Sequence, residues 1–66
     1  MEDIYKLAEK ANDICESRNL DARYWVQELN GEKRYFICNN VADMENIDEV
    51  SKKEFISRIE TLIKNN

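Results

Sequence analysis

At 66 residues the chain has room for one domain with a small core and little space for an enclosed active site. Its composition, 42% hydrophobic and 36% charged, is that of a folding domain, and a net charge of −4 argues against binding nucleic acid by phosphate neutralisation alone. With no apolar run of membrane-spanning length and no basic-then-apolar leader, a cytoplasmic protein without membrane contact is expected, its Cys15 and Cys38 reduced.

Residues 1–18 place Ile4, Leu7, Ala8, Ala11, Ile14 and Cys15 at steps of three and four, which predicts an amphipathic helix. Glu2 and Asp3 fall in its first turn, where acidic side chains favour the helix dipole, and Asn19 suits a left-handed C-terminal cap.

Residues 22–29 and 32–39 are rich in aromatic and β-branched side chains and are joined by Asn30-Gly31. Asn-Gly suits a type I′ turn, in which both central residues need positive φ, so a hairpin with a two-residue loop is predicted. That loop sets Leu29 opposite Glu32, Glu28 opposite Lys33 and Trp25 opposite Phe36. One face then carries Ala22, Tyr24, Val26, Tyr35 and Ile37, the better candidate for the core. The other carries Trp25, Phe36, Leu29 and Cys38 among Arg23, Gln27, Glu32 and Arg34, a mixture less suited to complete burial. The reverse assignment, with Trp25 and Phe36 as core, stays open because large aromatics are costly to leave wet.

Residues 40–50 contain Asp43, Glu45, Asp48 and Glu49 and no basic residue, and their charge of −4 equals that of the whole chain. Val41, Met44 and Ile47, three apart, fit a helical turn, a loop pinned at three points, or a short third strand within residues 41–48. Ser51-Lys52-Lys53-Glu54 then reads as a capping box, with Val50 and Phe55 as its hydrophobic staple. Phe55, Ile56, Ile59, Leu62 and Ile63 continue an apolar stripe that predicts a second helix.

The expected architecture is a single α+β domain over residues 1–66, α-β-β-α, with a central antiparallel hairpin and both helices on one sheet face. A two-stranded sheet is marginal by itself. Either residues 41–48 add a strand, or a partner or second copy covers the other face.

Catalysis is not expected. There is no His, which removes imidazole base catalysis, His-paired nucleophiles and His metal sites. The acidic segment lacks the alternating ligands and turn glycine of a calcium loop, and a single Gly cannot build a phosphate-cradling loop. No cofactor and no metal are expected.

A hairpin followed by Ser51-Lys52-Lys53-Glu54 at the start of an amphipathic helix resembles the end of a double-stranded RNA-binding domain and the arm-binding domain of phage integrases, over residues 22–64. A clear third strand and a positive charge balance are missing from that pattern.

Two functional classes follow. The first is a small acidic non-enzymatic module of the kind phages and mobile elements use to inhibit or modulate a host or defence protein. Its contact surface would comprise Arg23, Trp25, Gln27, Arg34 and Phe36, because Trp and Arg dominate binding hot spots. Asp43, Glu45, Asp48 and Glu49 would form an acidic surface that steers toward a basic partner, including a nucleic-acid-binding protein. A homodimer is the other partner this surface admits. The second class is direct nucleic-acid binding, with Tyr24, Trp25 or Phe36 stacking bases and Arg23, Arg34, Lys52 and Lys53 meeting phosphate; the net charge counts against it.

Overall fold

In the computed structural model, which describes residues 3–42 and 45–65, the first helix α1 runs Ile4–Ser17. Asp3 is its N-cap rather than a first-turn residue: its carboxylate accepts the Tyr5 N–H at 2.9 Å, satisfying a donor the helix itself cannot. Glu2 lies outside the described residues. At the other end Asn19 takes φ 56°, with bonds from the Asn19 N–H to the Glu16 carbonyl and from the Leu20 N–H to the Cys15 carbonyl. That pair of bonds is the Schellman arrangement, and Leu20 packs against the core as its hydrophobic contact.

Strands β1 (Arg23–Leu29) and β2 (Glu32–Asn40) form the hairpin. Asn30 and Gly31 have φ of 53° and 78°, and the register pairs Leu29 with Glu32, Glu28 with Lys33 and Trp25 with Phe36, as the two-residue loop requires. A third strand, β3 (Glu45–Val50), pairs antiparallel with the far edge of β2, giving sheet order β1-β2-β3. Of the three readings open for this segment the strand is the one found. Its pairing takes up the N–H and C=O groups that every second residue of β2 directs away from β1.

Ser51 opens α2 (Lys52–Lys64), its hydroxyl accepting the Glu54 N–H at 3.1 Å. The reciprocal half of the capping box does not form, because the Glu54 carboxylate turns to Arg58 one turn on, at 3.6 Å. Ser51→Ala should therefore cost about 1 kcal/mol, and urea unfolding that leaves stability unchanged would place the helix start elsewhere.

Both helices lie on one face of the sheet, α1 mainly over β1 and α2 over β2 and against α1. Phe55 and Ile59 are fully buried and meet Tyr24 and Ile37 of the sheet and Leu7, Ala8, Ala11 and Cys15 of α1 in one cluster. Phe55 sits between two tyrosines, its ring 6.1 Å from Tyr24 edge-on and 5.4 Å from Tyr35. Val26, Tyr35 and Val50 join this cluster half-buried; Trp25 and Phe36 do not belong to it. The core face is thus the Tyr24 face, and the molecule is a two-layer slab only 16 Å in its thin direction.

Burial raises the pKa of the Tyr24 hydroxyl above its ordinary 10.0 and that of the Cys15 thiol above 9.0. The folded state holds these protons more tightly than the unfolded chain does. The stability they contribute is complete below the unfolded values and is lost as pH rises through the folded ones. Melting followed upward from pH 9 should show this loss, and Tyr24→Phe should reduce it.

Candidate functional site

Alternation along the strands sends Arg23, Trp25, Gln27 and Leu29 of β1, Glu32, Arg34, Phe36 and Cys38 of β2, and Ile47 and Glu49 of β3 to the face opposite the helices. Neither helix packs on this face. At its centre the Trp25 and Phe36 rings stack at 5.8 Å with an interplanar angle of 19°. Each ring is half-buried. Ile47, diagonal to Phe36 on β3, is 41% exposed, and Leu29, beyond the Gln27/Arg34 pair toward the turn, is 60% exposed. Cys38, on the same face by register, is fully buried, so the face is closed at that end and open toward the turn.

The polar residues expected here have different surroundings. The Arg23 guanidinium folds back and donates to the carbonyls of Leu20 and Ala22, both at 2.7 Å, and so ties down the α1–β1 connection instead of standing free. Gln27 is exposed opposite Arg34. Arg34 lies 3.9 Å from Glu49 with both side chains about half exposed, a pair worth little to stability but one that gives the rim both signs of charge. The cation over an aromatic ring is Lys33, 5.5 Å from the centre of Tyr5 on the helix side, and not an arginine over Trp25.

The acidic residues do not share one face. Asp48 stands opposite Ile37 on the helix side and Glu49 opposite Phe36 on the outer side, both exposed. Glu45 pairs with Asn40 at the start of β3, and Asp43 lies outside the described residues. Among the described residues no group of three or more His, Cys, Asp or Glu side chains is placed to hold a metal ion, and no helix is long and apolar enough to cross a membrane.

Sequence reasoning missed two contacts that shape the edges of the site. The Asn12 side chain of α1 behaves as a one-residue strand: its amide nitrogen donates to the Tyr24 carbonyl at 2.8 Å and its oxygen accepts the Tyr24 N–H at 2.7 Å. The only trace in the sequence is a polar residue beside Ala8 and Ala11 on the apolar stripe. Asn12→Asp loses the donor and turns a carboxylate toward the Tyr24 carbonyl, so thermal unfolding should show destabilisation of about 1–3 kcal/mol. At the turn end the Tyr5 hydroxyl donates to the Glu28 carboxylate at 2.7 Å, which raises the tyrosine's pKa.

A groove along α2 is lined by Tyr24, Ser57, Arg58 and Thr61 among others. Thr61 is engaged with the Ser57 carbonyl at 3.0 Å and Arg58 with Glu54. The outer sheet face differs from it in presenting a stacked aromatic pair. No family model, no curated protein and no solved structure matches the chain.

Proposed function

We propose that this chain is a small non-enzymatic protein-binding module that presents the outer face of its sheet to a protein partner and acts by occupying that surface, as an inhibitor or modulator of the mobile-element type does. The observation that carries the reading is the stacked Trp25/Phe36 pair on the sheet face opposite both helices, with exposed Ile47 on the neighbouring strand, exposed Leu29 nearer the turn and charged residues among them. Apolar centre, aromatic anchor and polar rim are the anatomy of a protein contact. Both cysteines are buried and neither forms a disulfide, which fits the reducing cytoplasm. The surplus negative charge of the chain favours encounter with basic proteins, nucleic-acid-binding ones included. The test is affinity capture from the native host on immobilised wild-type protein and on Trp25→Ala, both shown to be folded. A protein held by the first and lost from the second supports the reading; equal retention on both overturns it.

The nucleic-acid reading gains one observation and loses another. β3 supplies the third strand that the sequence pattern lacked, and Lys52 and Lys53 are exposed at the start of α2. They belong to the helix layer, however, whereas Trp25 and Phe36 face the other way and Tyr24 is buried against Phe55. Base stacking and these phosphate contacts therefore cannot act in one site. A mobility shift with double-stranded RNA at low salt that fades steeply as salt rises would favour contact through the helix layer.

A further inference from the structure

We propose that the groove along α2 binds a small organic oxyanion, a carboxylate or a phosphate monoester, which accepts a hydrogen bond from the Tyr24 hydroxyl and pairs with Arg58. This site lies on the helix side of the sheet and is independent of the protein contact read from the outer face.

Tyr24 is the first argument. Its ring packs edge-on to Phe55 at 6.1 Å, and the whole residue is only 7% exposed. The Asn12 side chain takes its backbone N–H and C=O, but among the described residues nothing bonds its hydroxyl. The described interior leaves no fully buried side-chain oxygen or nitrogen without a partner, so this hydroxyl opens onto the groove that Tyr24 lines. A tyrosine set this deep normally has its O–H satisfied within the protein. Here the O–H is aimed at a place where a ligand atom can sit.

Charge is the second argument. Lys53 and Arg58 line the groove, and Arg18 donates to the Asn65 carbonyl at its far end, at 3.4 Å. Glu54 is the one acid along it, so cations outnumber anions locally on a chain whose net charge is −4. Burial holds the proton on the Tyr24 hydroxyl, the Cys15 thiol adds to that effect, and the Arg58 charge opposes it. The hydroxyl is therefore a donor, and the guanidinium acts on the same space. A donor and a cation together select an acceptor that is negatively charged. Arg58 already holds one carboxylate, that of Glu54 at 3.6 Å, with both side chains about half exposed. Such an exposed pair contributes little, so a ligand oxyanion can replace Glu54 at the guanidinium.

Size is the third. The groove has a volume of about 670 Å³, inside the range of roughly 300–1,000 Å³ that holds small molecules. Leu62 and the Tyr24 ring add apolar surface to its lining, which suits an acid with a compact apolar body. Because the groove is open to solvent, dissociation in the millimolar range is expected.

The test is a titration of ¹⁵N-labelled protein with benzoate and with phenyl phosphate, followed by amide resonances, with benzamide as the neutral control. The expected result is a saturable shift centred on Tyr24, Ser57, Arg58 and Thr61 with at least one of the two acids and none with benzamide; the tighter acid tells carboxylate from phosphate. Tyr24→Phe keeps the ring and removes only the hydroxyl, and should weaken binding by about tenfold, as should Arg58→Gln. Glu54→Gln frees Arg58 and should tighten binding by about twofold. Arg58 and Glu54 are exposed, so their variants report on the site whatever Tyr24→Phe does to the fold. Trp25→Ala should bind the acids as the wild type does, which separates this site from the outer face. Absence of a saturable shift up to tens of millimolar overturns the proposal, since the hydroxyl then meets only solvent. Shifts centred elsewhere, equal binding of benzamide, or affinity indifferent to both Tyr24→Phe and Arg58→Gln overturn it as well.

Discussion

Phe55→Ala should remove about half or more of the chain's stability and sharply lower its melting temperature. Phe55 is fully buried, lies between the rings of Tyr24 and Tyr35, and joins α2 to both strands of the hairpin. Truncating a buried phenylalanine costs about 3–5 kcal/mol, and a domain of this size has a total stability of roughly 3–10 kcal/mol. Circular dichroism should show the loss directly, and a cooperative melt near the wild-type temperature would mean that the cluster around Phe55 does not organise the fold. Ile59, one helical turn along the same stripe and equally buried, should give a smaller effect of the same kind when shortened to Val.

Trp25→Ala should do the reverse, weakening association through the sheet face by about thirtyfold or more, the scale of a tryptophan hot spot, while the monomer stays folded. Trp25 touches Phe36 across the strand pair and is absent from the central cluster, so its removal opens no cavity between the layers. Titration calorimetry with the captured partner gives the loss of affinity. An affinity within a factor of two of wild type would remove Trp25 from the contact.

The difference between these two aromatics was readable in part from sequence. Asn30-Gly31 fixed the register of the hairpin, and register alone sorted Trp25 from Tyr24. The capping residue Ser51 and the left-handed Asn19 were legible because each rests on a local rule about free backbone groups. Less could be read where tertiary partners decide. β3 has three acidic residues among its six and little alternation of apolar and polar, and what marks it as a strand is its pairing with β2, a tertiary contact. Asn12 looked like one more polar position on a helix, and its bonding to Tyr24 depends on where α1 crosses β1. Arg23 looked free by strand alternation, but nearby carbonyls at the α1–β1 connection claim its guanidinium. The candidate surface is consequently more apolar and less basic than its residue types suggested, with Arg34 as the arginine left near the aromatic pair and already beside Glu49.

A contact through the outer sheet face requires that face to be surface and not core, and urea unfolding of Trp25→Ala at a concentration where the protein is monomeric tests that directly. A loss of no more than about 1–2 kcal/mol with an unchanged dependence on urea is predicted, in keeping with a half-buried ring on a solvent-facing sheet. A loss of about 3–5 kcal/mol, as large as that expected for Phe55→Ala, would contradict it.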